Sequence, residues 1–262
     1  MRYFAVSDTH AHHTEMINSL TDAGFDPDNK DHFLIVVGDI TDRGHEALAH
    51  ILYLKDLVDK GRAVVLKGNH DNFILGFLKN IDQSFNWMHN GLNTTLDDLL
   101  HETRSFEMYC LLTDKEMTNY TFGEWQRINA SKLKKEFPWL QDWFQNLPNY
   151  FETKNYAFTH GIVNQNVEDW RKSDWSDCHW ARPEDYVGFF NPTGKHLVVG
   201  HLNASLMKWT RKYNTASGYD TYTFEPENEI YYDEGIDTYF LDSCTVLSKR
   251  VNVLVFEDDP IE

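Results

Sequence analysis

Residues 35–44 read IVVGDITDRG. The β-branched run Ile35–Val37 reads as a buried strand. It runs straight into Gly38-Asp39, and an acid–base pair, Asp42-Arg43, follows at once. Two similar stretches flank it. Tyr3–Val6 leads into SDTH (7–10), and Ala63–Leu66 leads into KGNHD (67–71), with Phe33–Val37 as the run between them. Helical patterns separate the three. Thr14–Ala23 stops at Gly24, a C-terminal cap residue. His45–Lys60 sets Leu48, Ile51, Leu52 and Leu54 or Lys55 around one face, with Leu57 and Val58 following, and stops at Gly61. Strand–helix–strand–helix–strand predicts an α/β sheet that is at least partly parallel.

The chain has 262 residues, enough for one large domain and a sizeable core. Its formal charge is −17, from 41 acidic against 24 basic residues. That balance argues against duplex nucleic acid and anionic membranes as partners, since both need basic patches. An anionic substrate must then be drawn in locally, for example by a metal. Cys110, Cys178 and Cys244 form no CxxC pair, so a reducing compartment is expected. No apolar run approaches the roughly 18 residues of a membrane span, and MRYFAVSD has no signal-peptide core. The expectation is a soluble cytoplasmic protein.

Residues 72–150 carry few strand runs and several helix-compatible stretches: Thr95–Glu102, Glu124–Glu136 and Trp139–Leu147. With no Pro/Gly/Ser linker around them, they are expected to be a helical insertion or cap within a single domain, 1–262. Strand signals return at Tyr156–Thr159, Leu197–Val199, Thr238–Leu241 and Val251–Phe256. These predict a second sheet whose last strands pair antiparallel.

Each polar cluster follows a predicted strand, and in open α/β sheets ligands bind at the carboxyl ends of strands. The residues expected to meet there are Asp8, His10, Asp39, Asn69 and His70. AFTHG adds His160, and VVGH adds His201. Singly, Asp, Asn and Gly after strands are ordinary turn chemistry. Together, carboxylate, imidazole and amide donors form a mixed O/N set that suits manganese, iron or zinc. Two divalent ions about 3.5–4 Å apart need a shared carboxylate. Asp39, between the other clusters and ending the most apolar strand, is the natural bridge.

The ordered set D-x-H, GD-x-x-DRG, GNH[DE], H-G and G-H resembles the calcineurin-like metallophosphoesterases. The DRG form is similar to the Ser/Thr protein phosphatase-like branch. That branch also holds bacterial and phage protein phosphatases and symmetrical diadenosine tetraphosphate hydrolases. GLNTTL (91–96) and LPNYFE (147–152) are weaker echoes. The resemblance implies a four-layer α/β/β/α sandwich of two mixed sheets flanked by helices. It also implies hydrolysis of a phosphate ester by in-line attack of a hydroxide bridging two metal ions, with manganese favoured. Asp8, His10 and Asp39 would hold one ion, and Asp39, Asn69, His160 and His201 the other. His70, oriented by Asp42, would protonate the leaving group. Arg43, with Arg182 of HWAR (179–182), would bind the phosphoryl oxygens, where a planar fork suits better than a lysine. The substrate would be a phosphoprotein, or alternatively a dinucleoside polyphosphate. Ser7 and Ala11 stand where the family has glycines, and FLDSC (240–244) stands where relatives often show DTG. His12 and His13 are expected to face solvent or to back the ligands, and His179 is expected to be structural.

Overall fold

The computed structural model describes residues 1–81, 87, 89–100, 106–213 and 228–261. Strand β1 (Arg2–Val6) pairs in parallel with β2 (His32–Val36), which pairs in parallel with β3 (Ala63–Val65). The intervening helices are α1 (His13–Asp22) and α2 (Ala47–Asp59). Each ends close to its predicted glycine stop.

After α3 (Asp71–Leu78) come α4 (Leu92–Leu100), α5 (Phe106–Thr113), α6 (Asn119–Glu136) and α7 (Leu140–Gln145). The predicted end at Glu102, and His101 with it, lie outside the described residues. A second sheet follows in the order β4 (Tyr150–Glu152), β5 (Tyr156–Thr159), β6 (His196–Val199), β8 (Thr238–Phe240), β7 (Tyr231–Asp233). The short helix α8 (Trp175–Cys178) lies before β6 and α9 (Ala204–Tyr213) after it, and α10 (Thr245–Ser248) follows β8.

The last strand corrects the sequence reading. Val251–Phe256 was expected in the second sheet. Instead β9 (Leu254–Glu257) closes the first sheet, antiparallel to β1, with Arg2 opposite Glu257 and Ala5 opposite Leu254. Apolar alternation dictates which face a strand buries but not which neighbour it pairs with. The antiparallel partner in the second sheet is β7, which pairs with β8. At three residues, β7 and β4 are too short to show a period.

Alternation along each strand builds the layers. Tyr3, Ala5 and Ile35 pack with Phe158, Val198 and Phe256 between the sheets. The opposite residues of the first sheet, Phe4, Val6, Leu34 and Val36, share a core with Met16, Leu20, Ile51, Leu54 and Leu57 of the helices. Ala157, Leu197, Val199 and Phe240 on the outer face of the second sheet pack with Met207 and Tyr186. The order of layers is therefore α/β/β/α.

Helix α2 buries Ala47, His50, Ile51, Leu54 and Leu57, a stripe at the helical period. Leu52, expected on this face, is 46% exposed, because the stripe runs one residue behind it. His50 takes a core position and is fully buried, with Nε2 2.8 Å from the Thr9 hydroxyl. Burial, then His13 and His12, push its pKa from 6.5 to about 3. Between those values the unfolded chain binds the proton and the folded one does not. Stability is therefore fully present above pH 6.5 and is lost as pH falls toward 3, by up to about 1.4 kcal/mol per pH unit from this group. Chemical denaturation at pH 7 and pH 5 should show a smaller stability loss in His50→Phe than in the parent.

Candidate metal centre

The site lies at the carboxyl ends of β1, β2, β3, β5 and β6. The backbone there is bent into unusual shapes. Asp8, His10, Ala11, Asp39, Asp42, Arg43 and His201 all have φ between 46° and 72°. Left-handed residues with a Cβ cost roughly 1 kcal/mol or more each and gather where function requires them. Ala11 and Cys244 keep a left-handed backbone at φ 55° and 52° although neither is glycine.

A lattice of hydrogen bonds holds the loops in place. His10 N–H donates to Asp39 O at 2.9 Å, and Ala11 N–H to Ile40 O at 2.9 Å. The Thr245 hydroxyl donates to the Asp8 carbonyl at 3.0 Å. Asp71 accepts from the backbone N–H groups of Gly68 (2.8 Å), Asp39 (3.0 Å) and Ile40 (3.1 Å), which ties the GD and GNHD loops together. Gly38 is needed twice: its φ is +80°, and a Cβ there would meet the His160 ring.

Two groups of donors result. His10, Asp39 and His70 have ligand atoms within 4.8 Å of one another, and so do Asp39, His160 and His201. Asp39 belongs to both. Its Oδ2 faces His10 Nε2 at 3.9 Å, and its Oδ1 faces His160 Nε2 at 3.3 Å. Asn69 Oδ1 lies 2.9 Å from His160 Nε2. Asp8 sits deep beside them, its Oδ2 accepting from His201 N–H at 2.9 Å. Backbone carbonyls aim the rings: Thr41 O is 2.9 Å from His10 Nδ1, and Val37 O is 2.8 Å from His160 Nδ1.

The second motif also forms a dyad. Asp42 Oδ2 lies 2.9 Å from His70 Nδ1, and both side chains are buried. Asp42 is held by Thr95, whose hydroxyl donates to Oδ1 at 2.9 Å and accepts from Asp42 N–H at 2.8 Å. Thr95 was not singled out from sequence, although GLNTTL contains it. Its importance arises because α4 docks on the DRG loop, where Arg43 N–H also meets Gly91 O at 3.3 Å.

The Arg43 guanidinium bonds Nε2 of both His10 (2.8 Å) and His70 (2.9 Å). Arg182 is exposed at the end of the HWAR segment, its backbone N–H on Asp185 Oδ2 at 2.7 Å, and among the described residues its guanidinium forms no hydrogen bond or ion pair with a site residue. His12 is buried rather than solvent-facing, with Nδ1 2.8 Å from the His10 carbonyl, so it backs the metal-facing loop. Buried His179 lies beside His160, ring centroids 6.1 Å apart.

The electrostatics describe a place that wants a cation. Burial and then Asp242 hold Asp8 well above the usual carboxylate range. Burial opposes the charge on Asp39, but His160 and His70 outweigh it, leaving Asp39 well below that range. Burial pulls His160 down, but Asp39 and Asp8 outweigh it and lift His160 to about 10. In that state an imidazolium supplies the positive charge that these carboxylates require. Burial, with Arg43 and then His70 adding to it, keeps His10 well below its ordinary value, and His201 is pushed down to about 3 by burial and then His160. Neutral imidazoles offer the lone pairs a metal uses. The donor chemistry therefore fits hard or borderline divalent ions.

The sequence profile of the calcineurin-like phosphoesterases matches residues 1–241. The chain belongs to this family. The divalent metals of this family have candidate ligands in the two donor groups. Over 105 residues it is 30% identical to the asymmetrical bis(5′-nucleosyl)-tetraphosphatase PrpE of Bacillus velezensis, spanning 38% of this chain and 41% of that protein's length. Among solved structures, one provisionally assigned as a diadenosine tetraphosphatase superposes with TM-score 0.56 at 16% identity, covering 97% of this chain and 89% of that one. A cold-active protein-tyrosine phosphatase of a Shewanella species gives 0.52 at 15% identity, over 98% and 75%. A protein serine/threonine phosphatase of Saccharomyces cerevisiae gives 0.50 at 11% identity, over 100% and 81%. These likenesses establish the shared fold. Among the described residues, no helix is long and apolar enough to cross a membrane.

Thr95→Ala should leave the buried Asp42 N–H without its acceptor and cost about 1–3 kcal/mol by chemical denaturation, whereas Thr95→Ser should restore most of the loss.

Proposed function

We propose that this chain hydrolyses phosphate esters or anhydrides with two divalent ions. Asp8, His10 and Asp39 would hold one, and Asp39, Asn69, His160 and His201 the other. The observation that carries this reading is Asp39, whose two carboxylate oxygens face separate donor groups. When bound, such ions neutralise phosphoryl charge and lower the pKa of water. Manganese suits the O/N donors best, with iron and zinc as alternatives.

The protein's own residues supply the remainder. Asp42 holds His70 through Nδ1, which fixes the ring; once Arg43 has turned away from Nε2, that nitrogen would carry the proton delivered to the leaving oxygen. Arg43 spans His10 and His70. A single lone pair on His10 Nε2 cannot serve both an arginine and a metal. With an ion held at His10, the guanidinium would give up that bond, and its Nη1 donors would be available to the phosphoryl oxygens. Arg182 would join it from the W-A-R segment. Residues 1–262 would act as one unit, with 72–150 as its helical insertion, and three cysteines that form no disulfide suit a reducing cytoplasm.

The DRG form supports a Ser/Thr phosphoprotein phosphatase-like activity. A second reading, hydrolysis of bis(5′-nucleosyl) polyphosphates, is supported by the local identity to a tetraphosphatase. With Mn²⁺ present, turnover of a phosphoserine peptide and of diadenosine tetraphosphate should be compared in the parent chain and in His70→Asn. The substitution should lower kcat on the true substrate about 10²–10⁴-fold, with Mn²⁺ binding by calorimetry retained. Parent activity that does not depend on divalent metal would overturn the two-metal reading.

A further inference from the structure

Most side chains that wall the centre are buried, although Arg43 is exposed and His201 only partly covered. Trp180 keeps 43% of its surface exposed. Its ring lies 6.1 Å from His201 at 83° and 5.8 Å from Phe73 at 50°. Phe73, only 3% exposed, meets His70 edge-on at 5.0 Å. An aromatic wall thus runs from the proton donor His70 through Phe73 to Trp180, whose indole is its solvent-facing end and reaches back to His201. Leaving an indole half in water forfeits the burial that would usually stabilise it. The main chain at this position is fixed by a backbone bond, Trp180 N–H to Asp177 O at 2.9 Å, just after α8.

We propose that Trp180 is the stacking platform for a nucleobase of the substrate. This rests on the two-metal hydrolase reading and chooses the nucleoside polyphosphate over the phosphoserine peptide. A nucleoside carries a flat π-face one sugar away from the reacting phosphate, on the scale of the His70–Phe73–Trp180 wall. A phosphoserine side chain presents no such face. Stacking on an exposed indole also accepts any base. It supplies attraction that the surface cannot, because a chain of net charge −17 repels a polyphosphate until it reaches the centre.

The test compares kcat/KM with Mn²⁺ for diadenosine tetraphosphate, inorganic tripolyphosphate, a phosphoserine peptide and a phosphotyrosine peptide. Trp180→Ala should lose about tenfold on the dinucleotide, mainly through KM. That loss should exceed the loss on tripolyphosphate at least fivefold, and Trp180→Phe should recover most of it. ADP should quench the tryptophan fluorescence of the parent, and Trp180→Phe should remove most of that quench although seven of the eight tryptophans remain. Equal losses on dinucleotide and tripolyphosphate, a larger loss on the phosphotyrosine peptide, or an ADP quench unaltered in Trp180→Phe would overturn the proposal. If the parent cleaves none of the four, the two-metal reading fails, and the ADP quench alone then decides for or against Trp180.

Discussion

Asp8, Asp39, Asp42 and Asp71 are all buried at one end of the two sheets. Placing several carboxylates together away from water costs several kcal/mol per ion unless each finds a partner. Most of the local structure answers that demand. Asp71 takes three backbone N–H groups, Asp42 takes His70 and Thr95, Asp8 takes His201 N–H, and Asp39 lies against histidines on both sides. The left-handed turns belong to the same solution, since only bent loops turn so many N–H groups inward.

The arrangement also makes the site responsive to a cation. Without one, the positive charge comes from His160 and from Arg43, which spans His10 and His70. A divalent ion on each side of Asp39 would take over that role: His160 would give up its proton to become a ligand, and Arg43 would lose its bond to His10, coupling metal loading to the freedom of the arginine. In the proposed mechanism the same side chain would cover the His10 nitrogen before loading and serve the phosphate after it.

Fold and site were legible to different depths. The first strands and helices were readable because apolar periodicity and glycine stops agreed there. The Val251–Phe256 strand was assigned to the wrong sheet because alternation is blind to partners. Thr95 and Thr245 hold the centre yet gave no signal of their own, and Asp71 entered only as the last position of GNHD, since a hydroxyl or carboxylate becomes a brace only when another loop arrives beside it. Trp180 was readable only as part of a W-x-R match. Its exposure, and its place in a wall running to His70, follow from packing.

The sequence by itself determined the donor types and their order along the chain: Asp8 and His10, Asp39, Asn69 and His70, His160, His201. Residue identity sets which atoms can bind a metal or move a proton, and the strand pattern sets that they gather at one edge. Only the tertiary structure decided that Asp39 faces two donor groups, that Arg43 spans His10 and His70, and that an indole stands open beside them. Those are matters of distance and burial between segments far apart in the chain, and no local pattern encodes them.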